Sequence, residues 1–473
     1  MEESVALRSY FQAHKQEMID TLAAWVAVPS VRGDARPGMP YGAEPARMLK
    51  LALEQCTALG FQTESVADCM GGVELNDLPA TLAVLCHLDV VPAGEGWSQD
   101  PFVLTYRQDT DRLYGRGAID NKGPAVAVLY AMRAIRELHI PMKHGVRLLL
   151  GTDEENGSSD LTAYLQQRTM PPMVFTPDGD YPVINIEKGM LRLTLTAGIE
   201  LVESGCRVEA MEGGTVVNGV PACASARIRD CSRQELESLC KQLPEGIRAD
   251  LSETDGYCCV TLQGLSAHAS KPELGKNALT ALLALLVQLP LPDEQHALLN
   301  VLHAAYPYGD TDGSALGIGC RDEKSGALTH VLSLLTYQKG RLTAWVDLRY
   351  PLCGDGEAII ARITEVLQSG GISTQLQMHH KPHETPESSP FVRTLLDVYA
   401  QSTGQSAHAL AIGGGTYVHD IPGGVAFGAE FPGEENQMHG GDESIRVESF
   451  LKIAELTALA MIRLCGDASE EML

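Results

Sequence analysis

The sequence predicts an α/β protein in two parts: an outer domain with a central mixed sheet flanked by helices, and an α+β domain inserted into it. Three observations predict this. The segments ATLAVLCHLDVV (80–91), GPAVAVLYAMRAIREL (123–138) and GVRLLLGTDEE (145–155) read in order as buried strand, helix and buried strand. Continuous apolar strands of this kind are covered on both faces, and in a βαβ order polar groups gather at the strands' carboxyl ends. From about residue 188 the texture changes to period-two alternation, as in LRLTLTAGIE (191–200), YCCVTLQG (257–264) and LTAWVDLRYP (342–351). Near residue 390 the first texture returns with the helical run FVRTLLDVYAQSTG (391–404). The expected division is therefore 1–187 with 390–473, and 188–389 as the insert.

Each element follows from its spacing. Apolar Leu7, Phe11, Met18, Leu22 and Trp25 predict one helix over 5–27, ending near Pro29. A second helix is expected over 45–60, stopped by Gly60. In the insert, helices are expected over 277–289 and 357–369. NALTALLALLVQLPLP (277–292) is too short to span a bilayer and is closed by Pro290 and Pro292, so it reads as a buried helix. MHHKPHETPESSP (378–390) reads as a polar, solvated connector despite its three histidines, since Pro-rich loops run on the surface.

Composition narrows the function. The chain has 473 residues, 44% hydrophobic and 21% charged, a globular balance. Lys and Arg total 36 against 61 Asp and Glu, a formal charge of −25. That charge repels phosphate backbones and anionic lipid, so no nucleic-acid or membrane partner is expected. The start lacks a basic region followed by an apolar core, and the 12 cysteines include no CxxC pair. Reduced thiols in a cytoplasm are the expectation.

Five places put metal-type ligands at the ends of predicted elements. His87 and Asp89 lie two apart on a strand and share a face, so the carboxylate could orient the imidazole. Asp120 sits in YGRGAIDNKGP just before a helix, where a plain helix N-cap is the competing reading. Asp153, Glu154 and Glu155 close a strongly apolar strand; three adjacent acids repel unless a cation separates them, and a ligand beside a general base would suit that spacing. In FTPDGDYPV either Asp178 or Asp180 could coordinate, against a simple Pro-Asp-Gly turn. His439 stands in NQMHGGDES, far along the chain. Two histidines and several carboxylates on successive strand ends make the mixed nitrogen and oxygen ligand set of a two-metal hydrolytic site.

HLDVVPAGEGW, GRGAIDNKGP, TDEENGSSD and PDGDYP, in that order, resemble the M20 metallopeptidases, and among them the bacterial PepV-type dipeptidases. GLSAHASKPELGKNA, VDLRYP and GGGTYV extend the likeness, which runs from about residue 87 to 443. The resemblance implies a zinc-peptidase-like domain with an inserted lid. It implies that His87 and Asp178 hold one metal, Glu155 and His439 the other, and that Asp120 bridges both, followed by a cis Asp120–Asn121 bond. It makes Glu154 the general base and Asp89 the partner of His87. From the lid, His268 would stabilise the oxyanion, Asn218 and Arg349 would grip the substrate, and the backbone of Gly414, Gly415 and Thr416 would line the pocket.

The activity so implied is hydrolysis of dipeptides or short peptides by a monomer, a dimer not being excluded, with two divalent ions: zinc first, manganese or cobalt as alternatives. Two other readings compete with it. One is an amidohydrolase acting on N-acyl amino acids or succinyl-diaminopimelate. The other is a catalytically silent peptide-binding relative, which would be expected to have lost Glu154 or a ligand. The sequence departs from the family pattern at Cys86, at Val418-His419 and at Gly440-Gly441; these spare the ligands and bear on substrate preference.

Overall fold

The computed structural model describes residues 2–200, 202 and 204–467, and the chain divides into two units. One comprises Met1–Asn185, Glu384–Leu410 and Gly415–Leu473; the other comprises Ile186–His383 and Ala411–Gly414. The sequence reading placed its divisions at 187/188 and 389/390 and had no counterpart to the short stretch 411–414.

The first unit is built on a mixed sheet. Its middle is parallel: Ala80–His87 lies between Gly145–Gly151, with His87 opposite Gly151, and Met173–Thr176, with Val84 opposite Phe175. Val425–Ala426 adds a further parallel partner to Met173–Thr176. Met70–Glu74 joins Gly145–Gly151 antiparallel, and Gln62–Val66 closes the edge as a hairpin strand. Six consecutive residues of the central strand, Leu82 to His87, are buried, as its unbroken apolar run requires. Helices Lys122–Glu137 and Val447–Cys465 pack together against it, burying Val126, Leu129, Phe450 and Ile453 among others.

The single helix expected over 5–27 is two, Glu2–Ala13 and Lys15–Val26, interrupted at His14. Leu7, Phe11, Met18, Leu22 and Trp25 are all buried on one side, so the apolar period runs through the break and cannot reveal it.

The second unit is an antiparallel sheet of eight strands. Their order is Arg248–Thr254, Tyr257–Gln263, Cys223–Arg229, Arg207–Gly213, Thr329–Gln338, Arg341–Tyr350, Gly189–Gly198 and Ser373–His380. Ala278–Leu286, Asp293–Ala305 and Gly356–Gln368 pack with it around a core of Leu279, Leu282, Leu299, Ile363, Val346 and Leu193. Asn277 and Asp355 cap the first and last of these helices by accepting two backbone N–H bonds each. The connector expected at 378–390 is partly strand: Ser373–His380 runs into it and His383–Glu384 is a short strand. His379 there bonds the Tyr350 hydroxyl through Nε2 (3.0 Å) and faces Glu357 through Nδ1 (3.3 Å), so this histidine is anchored.

Candidate active site

The three adjacent parallel strands of the first unit end in the chemistry. His87 is the last residue of its strand, Glu154 and Glu155 form the turn just after Gly151, and Asp178 follows Thr176 by two residues. Neighbouring parallel strands that run the same way deliver groups at and just beyond their carboxyl ends to one edge of the sheet, as in open α/β sheets generally. Asp120 arrives from the loop before helix Lys122–Glu137. It is not that helix's cap: Asn121 occupies the cap position and makes no side-chain capping bond. The Asp120–Asn121 bond is cis.

The two carboxylate oxygens of Asp120 face different histidines. Oδ1 lies 2.9 Å from His87 Nε2, and Oδ2 lies 2.8 Å from His439 Nε2. His87 Nε2 is also 3.7 Å from Asp178 Oδ2, and His439 Nε2 is 3.3 Å from Glu155 Oε2. Two groups therefore form, His87 with Asp120 and Asp178, and Asp120 with Glu155 and His439; within each, one ligand atom per residue lies within 4.8 Å of the others. Asp120 is common to both. Asp180, the alternative to Asp178, lies in the strand Gly179–Asp180, exposed and outside these groups. Asp153 is outside them too, bonded to Arg32 and Ser159.

Charge in this cluster is unbalanced. Burial pushes the Glu154 carboxyl well above the usual range, and the neighbouring charge of Asp178 adds to it. Glu155 is raised to about 7 by burial and by Asp120. Asp178 is raised as well, again mainly by burial. Burial would raise Asp120 too, but the two imidazoles outweigh it and hold the group low. On the two histidines burial favours the neutral ring, yet the surrounding carboxylates win and raise both, His439 to about 11. The surrounding carboxylates thus favour positive charge at this place. Glu155 Oε1 is buried with no hydrogen-bond partner. An orphaned carboxylate oxygen, an acid excess and two imidazoles fit divalent cations bound through nitrogen and oxygen.

Asp89 sits beneath this layer, fully buried. His87 Nδ1 is 3.0 Å from the backbone oxygen of Asp89 and 3.6 Å from its Oδ1. The Asp89 carboxylate also accepts the backbone N–H of Glu154 (3.2 Å, Oδ1) and of Glu155 (3.1 Å, Oδ2). It braces the acidic turn as well as the imidazole.

Sequence reasoning missed several supporting groups. Asn121 Nδ2 donates to Pro177 O (2.7 Å) and Asp178 Oδ1 (3.2 Å), steadying one ligand from the loop of another. Lys122, buried, donates to the carbonyls of Trp25 (3.0 Å) and Val28 (2.7 Å), and burial lowers its pKa to about 7. Asp160 Oδ2 accepts the Tyr417 hydroxyl (2.5 Å) and the N–H of Thr152 (2.6 Å) and Asp153 (3.0 Å). Arg116 and Glu443 form a wholly buried pair. None of these carries a spacing signal; burial of a charged side chain is a tertiary property. The departures are explained in part: Cys86 is a buried core residue, and a Cβ at Gly441 would collide with the backbone of Gly96.

The remaining expected residues lie in the second unit, except Gly415 and Thr416, which belong to the first. His268 and Asn218 are neighbours: Gly219 pairs with His268 as an antiparallel bridge, and Ala269 N–H donates to Asn218 O (2.9 Å). His268 is exposed, and its Nδ1 accepts the N–H of Ser270 (3.2 Å) with the Ser270 hydroxyl 2.7 Å away. An acceptor at Nδ1 leaves the neutral ring's proton on Nε2. Arg349 is buried, gripped by Asp347 through Nε (2.6 Å) and Nη2 (3.1 Å), and its Nη1 donates to Gly413 O (2.9 Å). Gly414 follows in the same stretch, and Thr416 caps the turn Tyr417–Asp420 by accepting Val418 N–H.

Carboxylates at the ends of parallel strands, joined to two imidazoles through one shared aspartate, define a metal-dependent hydrolase. Residues 83–463 match the model of peptidase family M20/M25/M40, and the chain belongs to that family. It is 32% identical over 461 residues to the "Putative dipeptidase YtjP" of Bacillus subtilis (strain 168), spanning 95% of this chain and 97% of that one. It is 31% identical over 466 residues to the beta-Ala-Xaa dipeptidase of Lactobacillus delbrueckii subsp. lactis, spanning 96% and 97%. Among solved structures, human carnosine dipeptidase 1 shares the fold, with a TM-score of 0.63 at 17% identity over 98% of both chains. The chain is a metallopeptidase, a hydrolase acting on peptide bonds.

Proposed function

We propose that the substrate is a dipeptide or short peptide and that hydrolysis uses two divalent ions, zinc first and manganese or cobalt as alternatives. His87 and Asp178 would hold one, Glu155 and His439 the other, with Asp120 shared. The observation that carries this is the division of Asp120 between two histidines, 2.9 and 2.8 Å from its separate oxygens. Ions bound there supply Lewis-acid polarisation of the scissile carbonyl and acidify water. Glu154 takes the proton of the attacking water and returns it to the leaving amine; its raised pKa, from burial first, suits a group that must both accept and release. Asp89 holds Glu154 and Glu155 by their backbones so that base and ligand keep a fixed offset. His268, whose Nδ1 accepts the N–H of Ser270, would donate to the developing oxyanion. Arg349 and Asn218 would bind substrate polar groups, with the backbone at Gly414, Gly415 and Thr416 as further substrate contacts; two of the five Arg349 N–H groups remain beyond those given to Asp347 and Gly413.

The kinship with two proteins named as dipeptidases over nearly the full chain supports the substrate class. Among the described residues no helix is long and apolar enough to cross a membrane. The scattered cysteines without a CxxC pair suit a reducing cytoplasmic setting, which we propose for the protein. The test is a panel of dipeptides and N-acyl amino acids assayed at identical metal loading. Turnover of dipeptides well above N-acyl amino acids is expected. The reverse order would make the enzyme an amidohydrolase, and tight peptide binding without turnover would make it a silent relative.

A further inference from the structure

We infer that the buried Arg116–Glu443 pair is a positioning device that couples the Asp120 loop to the His439 loop; this rests on the two-metal reading above. Neither residue touches a ligand side chain. Both act on ligand backbones. Glu443 Oε1 accepts the N–H groups of Gly117 (3.0 Å), Ile119 (3.1 Å) and Asp120 (3.2 Å), so one oxygen fixes the course of the loop up to the shared ligand. Its Oε2 accepts Arg116 Nη1 at 2.5 Å. Arg116 Nη2 in turn donates to the carbonyls of His439 (3.3 Å), Ala93 (3.0 Å) and Pro92 (3.3 Å). The guanidinium belongs to the Asp120 loop and holds the backbone of His439. The carboxylate belongs to the His439 loop and holds the backbone of Asp120. The exchange is reciprocal, and it joins two residues of the same ligand group across more than 300 positions of chain.

The cost of this arrangement argues for a purpose. Side-chain exposure is 1% for Arg116 and 0% for Glu443, and a fully buried ion pair is a weak way to stabilise a fold. Its advantage is direction: an arginine fork and a carboxylate fix angles that apolar packing would leave loose. His439 is the ligand in most need of it, since its side chain is 51% exposed and lies in a loop with left-handed backbone at Gln437, His439 and Asp442. The ion held by Asp120, Glu155 and His439 therefore depends on the pair more than the ion held by His87, Asp120 and Asp178.

Glu443→Gln and Arg116→Lys test this with two readouts. Hydrogen exchange on the metal-free proteins, followed in peptides covering 115–121 and 436–444, reads the clamp itself; faster exchange in both segments of both variants is expected. Calorimetric titration of zinc into the same apo proteins reads the coupling. Wild type should take two ions, and each variant should keep one at wild-type affinity while the other weakens about 10- to 100-fold, the range seen when groups behind a ligand are removed. Should Glu443→Gln fail to fold, Arg116→Lys keeps the positive charge and the test. Two ions bound with wild-type affinity in a folded variant would overturn the inference, as would equal weakening of both. A wild type that binds fewer than two ions refutes the two-metal reading and the ion coupling with it, while the exchange result still stands for the clamp.

Discussion

Asp89 accepts the backbone N–H of Glu154 at 3.2 Å, and its second oxygen accepts that of Glu155 at 3.1 Å. The carboxylate that spacing assigned to His87 is thus also the brace of the acid–base turn. An asparagine there keeps one acceptor and turns an NH2 toward a backbone N–H. For Asp89→Asn, kcat should fall about 10- to 100-fold. Zinc content, measured by elemental analysis, should stay at the wild-type value, because His87 Nδ1 retains the Asp89 backbone oxygen at 3.0 Å. Loss of an ion in parallel with kcat would show that steering His87 is the carboxylate's main duty.

Glu154 belongs to neither ligand group, yet its carboxyl feels the charges of Asp178, His87, Glu155 and Asp120. Glu154→Gln preserves shape and removes the proton acceptor. A positioned general base contributes roughly 10²- to 10⁴-fold, so kcat should drop by that order while two ions stay bound. Steady-state kinetics on metal-loaded protein, paired with metal stoichiometry, make the check. Full turnover with both ions in place would remove Glu154 from the mechanism.

The shared position of Asp120 sets an asymmetry among the ligand variants. His87→Ala removes a member of one group and His439→Ala a member of the other, whereas Asp120→Ala removes a member of both. Equilibrium dialysis should find about one ion per chain in each histidine variant and fewer in the aspartate variant. Chelation of the wild type should abolish hydrolysis, and zinc, manganese or cobalt should restore it to different extents. Equal stoichiometry in all three variants would mean that the groups are not separate sites.

Ser270 offers a finer test in the second unit. Its N–H donates to Nδ1 of His268 and its hydroxyl lies 2.7 Å from the same nitrogen, which sets the neutral ring's proton on Nε2. His268→Ala should cost about 10²- to 10³-fold in kcat, as loss of one oxyanion donor does elsewhere, with KM little changed. Ser270→Ala keeps the backbone N–H and should cost much less. A rise in KM at constant kcat for His268→Ala would instead assign the residue to ground-state binding.

How much of this was legible in the sequence depends on which force placed each residue. His87 and the acidic run Asp153–Glu155 stood out as candidates because apolar strands announce themselves and polar residues at their ends are conspicuous, whereas Asp178 was offered only beside Asp180, and its place near His87 and Asp120 is a tertiary fact. Asp120 was ambiguous, since an acid ahead of a helix is also an ordinary cap; only tertiary contact with two histidines separates the readings. His439, alone among glycines, carries no local signal and rested on the ordered motifs. Arg116, Glu443, Asp160 and Lys122 were invisible: each reads as an ordinary charged residue, and each is buried by contacts with distant segments. The break at His14 was invisible for the opposite reason, as the apolar stripe on either side stays in phase. The stretch 378–390 was misread as connector throughout because proline suggested a loop, whereas sheet pairing with Gly189–Gly198 extends the strand to His380.

Asp160 yields a prediction about stability and pH. It lies outside both ligand groups, wholly buried, with Tyr417 and two backbone N–H groups on Oδ2. Burial first, and the charge of Asp89 second, raise its pKa from 3.8 to about 7. A carboxyl that holds its proton more tightly when folded favours the native state at low pH. The contribution is complete below the unfolded value near 4 and is lost as pH rises through about 7. Asp160→Asn keeps an acceptor and cannot titrate. In urea unfolding of metal-free protein at pH 5, 6, 7 and 8, the stability of wild type relative to Asp160→Asn should therefore decline with pH, by at most about 1.4 kcal/mol per unit. Glu155 and other groups that titrate in the same window are present in both proteins and cancel in the difference. A difference that is flat across these pH values, or that grows with pH, would mean that the donors around Asp160 hold it ionised in the folded state.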